Sequence, residues 1–321
     1  MDANFPPTVT QARDAIMSTP YTGIFPIVPT PFTEDGALDL DGQRRVIDCM
    51  VDQGVDGVCI LANYSEQFLL SDAERETLQT ICMKHVAGRV PVIATCSHFS
   101  TTIAIERCQR AEAQGAKMVM MMPPYHGALL KASDEGVYEH FDALANAIEI
   151  PIMIQDAPLS GVTLSIPLLA RIARELPMVT YFKIETPGTA AKLRALIAAA
   201  GEHIDGPFDG EEGITLLADL DAGATGTMTS ALACEKIRPI VMDHLAGDRA
   251  AAEVGYNRML PLINLENRQC GLKACKTVMM EGGVIKSDAV RHPLTSLDGA
   301  TRETLLTMAR EHDLLAVRWG K

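Results

Sequence analysis

One amine in this chain stands where an amine is costly. Within Met178-Val-Thr-Tyr-Phe-Lys-Ile-Glu-Thr-Pro-Gly188, Lys183 lies on a short apolar run walled by Val179, Phe182 and Ile184. The run breaks at Thr186-Pro187-Gly188. Burial disfavours the charged form, so desolvation is expected to lower the pKa of Lys183. A lysine that is neutral at working pH attacks a carbonyl carbon, which makes a Schiff-base nucleophile the sharp reading. A plainer reading fits the same stretch: a strand-end lysine that snorkels to solvent or pairs with Glu185.

Other groups able to do chemistry cluster after similar apolar runs. They are Asn63-Tyr64-Ser65-Glu66, Ser97-His98, Tyr125-His126, Gln155-Asp156, the acids Asp209, Glu211 and Glu212, and Thr227, Thr229 and Ser230. His98 with these three acids could suggest a metal site, but no HxH or ExxH spacing accompanies them, and acids opening a helix are the better account, so no metal is expected. No GxGxxG or GxxxxGK[ST] loop is present, which removes the usual phosphate cradle of an open doubly wound sheet.

The elements that must position these groups alternate regularly. Apolar runs at 23–28, 57–61, 90–95, 117–122, 151–155, 179–183, 203–208 and 224–229 are each followed by a helix-periodic segment, and Ser71-Asp-Ala-Glu74 opens one of these as a capping box. The runs are short, rich in Val, Ile and Met and not obviously alternating, as when both faces of a strand are covered. Eight strand–helix units predict a (β/α)8 TIM barrel over 21–233, preceded by an arm at 1–20 with a short helix around 10–17 and followed by a helical extension at 234–321. In such a barrel chemistry sits at the carboxyl ends of the strands, where the groups above fall.

Composition bounds the partners. The 321 residues are 47% hydrophobic and 21% charged, an ordinary globular mixture. A net charge of -13 argues against nucleic acid, which needs a basic surface. Eight scattered cysteines without a CxxC pair read as buried free thiols in a reducing compartment. No secretory leader and no apolar run long enough for a bilayer are seen, so a cytoplasmic protein without membrane partners is expected. The run Met118-Val-Met-Met-Met122 reads as interior barrel strand rather than binding surface. Arg268 and Lys273 read as surface or interface charges.

In order along the chain, Thr30-Pro-Phe32, Ser65-Glu66, Pro123-Pro-Tyr125, Phe182-Lys-Ile-Glu185 and Gly223-Ala-Thr-Gly226 resemble the dihydrodipicolinate synthase/N-acetylneuraminate lyase superfamily over about 21–310. The resemblance implies a TIM barrel, usually a homotetramer, that needs no cofactor because a lysine condenses with the ketone of pyruvate or another 2-keto acid. Lys183 matches that lysine. Asn63, Tyr64 and Ser65 match the loop that holds the keto acid's carboxylate, with Thr30 and Glu66 in support. Relatives read GTTGE or GSTGE there. This chain reads Ala62-Asn-Tyr-Ser-Glu66, and the missing glycines are expected to narrow and stiffen the loop.

The main departure lies on the fifth barrel strand, where relatives read YNxPxRTG and the tyrosine relays a proton. Gln155 stands in its place, in Gln155-Asp-Ala-Pro-Leu-Ser-Gly161, and glutamine cannot titrate. Asp156, His126, Tyr125 or a substrate group could substitute, with His126 favoured for its pKa; a turn role for Asp156 and a simple loop role for His126 stay open. Tyr125, Asp156, Glu185 and Asp209 are further candidates for binding substrate. The resemblance thus implies a Schiff-base lyase acting on a 2-keto-3-deoxy sugar acid, by aldol cleavage to pyruvate and an aldehyde or by dehydration on the same iminium. Cleavage is placed slightly ahead, and a catalytically silent keto-acid-binding barrel is the alternative of another class. Lysine biosynthesis is disfavoured, because the relatives' arginine has no counterpart in Pro158-Leu-Ser-Gly161.

Overall fold

The computed structural model describes residues 19–126 and 130–321. The short helix expected around 10–17 lies outside them. Eight parallel strands carry the fold: β1 (Gly23–Ile24), β2 (Val58–Ile60), β3 (Val92–Thr95), β4 (Met118–Met121), β7 (Ile152–Asp156), β8 (Val179–Ile184), β9 (Gly206–Asp209) and β10 (Gly226–Thr227). They pair in the order β1-β10-β9-β8-β7-β4-β3-β2. Ile27 closes the seam by bridging Cys59 on one side and Ser230 on the other, so the sheet is a nearly closed barrel. The small antiparallel pair β5 (Tyr125–His126) and β6 (Leu130–Lys131) stands apart from it.

Helices α1 (Leu40–Asp52), α2 (Asp72–Val86), α3 (Thr101–Ala113), α4 (Asp134–Ala145), α5 (Ile166–Glu175), α6 (Thr189–Ala200) and α7 (Leu216–Asp221) follow the strands in turn. The Ser71 capping box forms as expected: the Ser71 hydroxyl accepts from the Glu74 amide while the Glu74 carboxylate accepts from the Ser71 amide at 2.9 Å. Helices α8 (Cys234–Leu245), α9 (Arg249–Leu265), α10 (Lys273–Glu281) and α11 (Gly299–Glu311) complete the chain. A π-helical turn, Glu266–Cys270, joins α9 to α10. Among the described residues no helix is long and apolar enough to cross a membrane.

Strand runs that look uniformly apolar in sequence are sorted by the two-residue period of the strand. Phe25, Ile27, Cys59, Ile93, Met118, Met120, Met153, Tyr181, Phe208 and Met228 fill the barrel interior. Their neighbours Ile24, Val28, Val58, Ala94, Val119, Ile154, Phe182 and Ile184 face the helices. All eight cysteines are buried and unpaired.

An aromatic plug occupies part of the interior, with the Phe208 ring 5.7 Å from Phe25 and 6.1 Å from Tyr181, the latter nearly perpendicular at 86°. It explains Gly226. A Cβ there would lie 2.6 Å from the Phe208 ring and 2.8 Å from the Gly23 carbonyl oxygen, so neither side chain nor backbone leaves room. Gly226→Ala is expected to destabilise the fold by about 1–3 kcal/mol through overpacking, measured as a lower denaturation midpoint; an unchanged midpoint would contradict this account of the plug.

Candidate active site

Lys183 and Glu185 stand two residues apart at the end of β8, so both face inward, and Gln155 pairs in register with Lys183 from β7. Lys183 is 2% exposed, and its ammonium is ion-paired with the Glu185 carboxylate. The Gln155 amide donates to the same carboxylate at 2.9 Å. Gly210, just past β9, leaves space for both side chains: a Cβ there would meet Glu185 Cγ at 2.3 Å and Lys183 Cγ at 2.9 Å.

The charge state differs from the sequence expectation. Burial pushes the Lys183 amine down, but the carboxyls of Glu185 and Glu212 outweigh it and hold the ammonium above the usual lysine range. The expectation of a neutral amine is therefore corrected. The sequence offered Glu185 as a partner in the plainer reading, and that pair forms; it did not show that Glu212 would join it.

Three more groups complete the cluster. Glu212 lies in the left-handed region at φ 51°, an unfavourable backbone for a residue with a side chain. Burial first, then Glu185, holds its carboxyl well above the usual range, with Lys183 opposing them, so its protonated form is favoured relative to an exposed glutamate. Burial likewise raises the Tyr64 hydroxyl, with Glu212, Glu266 and Glu185 adding to the effect, which places Tyr64 among these acids. Glu266 comes from the π-helical turn, is 3% exposed and is pushed up to about 7 by burial, opposed by a hydrogen bond to Ser230. The cluster thus gathers one amine, the carboxyls of Glu185, Glu212 and Glu266, the last two raised by burial, and a phenol. Glu212 was visible in the sequence only as one of three acids after the seventh run. Glu266 was missed, because helical periodicity does not reveal a π turn.

The β2 loop is a 3-10 turn over Asn63–Ser65, flanked by Leu61 at φ 59° and Glu66 at φ 56°. The loop enters the left-handed region with ordinary residues in place of glycine, and neighbouring bonds hold it there. The Ser65 hydroxyl donates to the Val28 carbonyl at 2.6 Å and accepts from the Ala62 amide at 3.2 Å. Its single proton is spent on the backbone, so Ser65 cannot donate to a substrate carboxylate as expected. The Thr30 hydroxyl donates to the Ser65 carbonyl at 2.7 Å, and Asn63 accepts from Gln67 at 3.4 Å.

Two expected site residues face the other way. Asp156 follows inward-facing Gln155 and therefore points to the helix layer, where it ion-pairs with Lys192 of α6 at 2.5 Å. Asp209 follows inward-facing Phe208 and also points outward, accepting from Thr227 at 2.5 Å beside Asp219, which accepts from Thr215 at 2.6 Å. Neither reaches the mouth. His126 is exposed, its ring 5.7 Å from Phe99, and with Tyr125, His98 and Ser97 it lines a separate pocket of about 450 Å³. The carboxyls that act on Lys183 are those of Glu185 first and Glu212 second. Among the described residues no group of three or more His, Cys, Asp or Glu side chains is arranged to hold a metal ion.

Two predictions follow from these contacts. Burial and Asp209 hold Asp219 up to about 8, far above an unfolded aspartate at about 3.9. The folded chain keeps a proton that the unfolded chain releases, so this stability is complete below about pH 4 and is lost as pH rises to about 8. Asp219→Asn can keep the bond from Thr215 and cannot ionise; its melting temperature should match wild type near about pH 3.5 and exceed it near about pH 8. Equal melting temperatures at both values would count against the raised Asp219 carboxyl. Gly210→Ala should displace Lys183 and Glu185 and slow reductive trapping of pyruvate on the enzyme by roughly a hundredfold; trapping at the wild-type rate would refute the crowding argument.

Comparison with known proteins agrees with this geometry. The family model described as the dihydrodipicolinate synthetase family matches residues 20–312. The chain is 54% identical over 304 residues, covering 94% of itself and 98% of the relative, to an L-2-keto-3-deoxyarabonate dehydratase of Azospirillum brasilense. It is 31% identical to 4-hydroxy-tetrahydrodipicolinate synthase 2 of Streptomyces coelicolor, covering 89% and 94% of the two chains. Among solved structures, the dihydrodipicolinate synthase of Acinetobacter baumannii complexed with pyruvate is 25% identical with a TM-score of 0.84, covering 92% and 99%. That of Aquifex aeolicus shares the fold with a TM-score of 0.85 at 24% identity, covering 92% and 99%. The chain belongs to the dihydrodipicolinate synthetase family and is a lyase of the class I aldolase and dehydratase group.

Proposed function

We propose that this enzyme dehydrates a 2-keto-3-deoxy sugar acid through a Schiff base on Lys183, with no external cofactor. One observation carries the reading: the buried amine of Lys183 is paired with Glu185 and lies near the buried carboxyl of Glu212, which burial raises, with a glutamine where the relatives' relay tyrosine stands. The 54% identity to an L-2-keto-3-deoxyarabonate dehydratase supports the same outcome and makes L-2-keto-3-deoxyarabonate the first substrate to test.

In this mechanism Lys183 passes a proton to Glu185 and attacks the C2 ketone. Loss of water from the carbinolamine, with Glu185 returning its proton, gives an iminium. The iminium acidifies C3, Glu185 takes that proton, and the resulting enamine expels the C4 hydroxyl as water using the proton of Glu212. Water then hydrolyses the conjugated iminium, releasing the dehydrated keto acid and leaving Lys183 as the ammonium, and the proton taken up by Glu185 passes to Glu212 to restore the starting state. Tyr64 is proposed to orient the substrate from the opposite wall.

Aldol cleavage shares the first two steps but needs a base at the C4 hydroxyl. Gln155 cannot serve, since an amide does not titrate and its N–H is engaged with Glu185. Dehydration therefore moves ahead of cleavage, and the relay assigned to His126 passes to the two glutamates. As in other members of the family, a homo-oligomer is proposed, working in the cytoplasm.

A product assay with L-2-keto-3-deoxyarabonate and related acids tests this directly. The expected product is the dehydrated keto acid without pyruvate; pyruvate with an aldehyde would restore the aldolase reading. Lys183→Ala should abolish borohydride-trapped adduct and turnover together. Glu212→Gln should leave pyruvate trapping nearly intact while turnover falls by roughly 10²–10⁴-fold; unaltered turnover would remove Glu212 from the mechanism.

A further inference from the structure

Lys276 is the other deeply buried amine described here, and it lies well away in sequence from Lys183. It sits on α10, is 1% exposed and is ion-paired with the carboxylate of Glu66, also 1% exposed. Its ammonium also donates to the Ala289 carbonyl at 2.6 Å and the Thr30 carbonyl at 3.3 Å, and stands 4.7 Å from the centre of the Phe32 ring. Three N–H donors thus meet three acceptors, each on a different part of the chain. Thr30 and Phe32 belong to the loop after the first strand, Glu66 to the β2 loop and Ala289 to the C-terminal segment.

We infer that Lys276 is a positioning residue for the active site, its buried ammonium holding the β2 loop in the form that presents Tyr64 to the barrel mouth. The inference rests on the reading above that the mouth is where a keto acid is captured. Glu66 occupies the left-handed region, which a residue with a side chain adopts only when its surroundings enforce it. Tyr64 is two residues away in the same short loop. Released from Lys276, Glu66 would relax toward ordinary backbone angles and turn the 3-10 segment carrying Tyr64. At the far end of the loop Arg291 donates to the Leu69 carbonyl at 3.0 Å and lies 4.4 Å from the Phe32 ring, so the C-terminal segment grips the loop at two points.

Stability and positioning can be separated. Lys276→Met alone leaves Glu66 buried without its cation and is expected to destabilise the fold. The double variant E66Q/K276M removes both charges and should melt near the wild-type temperature. In it the pyruvate concentration for half-maximal borohydride trapping should rise roughly tenfold or more, with a smaller change in the limiting rate, and the backbone amides of 63–69 should exchange hydrogen faster. A double variant with wild-type melting, half-saturation and exchange overturns the inference. Failure of both variants to fold would make the pair a folding element and overturn it equally. If the wild type traps no keto acid on Lys183, the Schiff-base reading falls, while faster exchange at 63–69 in a folded double variant still upholds the hold on the loop.

Discussion

The site is organised by an ammonium group that would be untenable alone. Removing Lys183 from water disfavours its charge, and the nearby carboxyls more than reverse that penalty. Breaking one side of such a buried pair commonly costs about 3–5 kcal/mol, so the geometry around it has to be tightly held. Strand periodicity supplies the first constraint, because Lys183, Glu185 and Gln155 share the barrel face only in the observed register. Gly210 supplies the second by leaving the side chains a path, and Gln155 the third by fixing the carboxylate from the neighbouring strand.

The same constraint explains why some neighbours are excluded. Asp156 and Asp209 are adjacent in sequence to inward-facing residues, and that adjacency turns them away from the mouth. Each finds compensation in the helix layer, Asp156 in Lys192 and Asp209 in Thr227 and Asp219. Had either pointed inward, a further carboxylate would have joined a cluster that holds a single ammonium. The outward acids still act across the strand on the inward ones, since Asp209 helps raise Glu212 and Lys183 helps lower Asp209.

Much of this was legible in the sequence, and the part that was not has a physical cause. The eight strand–helix units, the nucleophile strand and the loops at its level follow from local periodicity and ordered motifs. The strand period could also have excluded Asp156 and Asp209 once Lys183 was taken as inward, by counting residues from each interior position. The protonation of Lys183 was legible only in part: Glu185, its main partner, is two residues on, whereas Glu212 is 29 residues on in the chain and lies at a left-handed backbone position. Glu266 was hidden for a similar reason: its position depends on a π turn that has no simple sequence signature. The β2 loop shows the converse, since its lack of glycine is plain in the sequence, yet the backbone keeps positive φ at Leu61 and Glu66 because distant groups enforce it.

Replacing a tyrosine by Gln155 gains meaning from this electrostatic setting. A phenol at that position could exchange protons with the substrate; an amide can only donate or accept hydrogen bonds. Here its N–H is directed at Glu185, so the residue that lost a proton-carrying role orients the group proposed to take one over. With the Glu212 carboxyl raised by burial and by Glu185 itself, the proposed mechanism has an acceptor and a donor of protons near one amine. Elimination needs that combination, since one proton leaves C3 while another must reach the departing hydroxyl. Aldol cleavage needs a base at the hydroxyl instead, and Glu212 in its protonated form is the wrong partner for it. In the proposed mechanism, the choice between the two reactions is therefore set by which carboxyl holds the proton when the iminium forms.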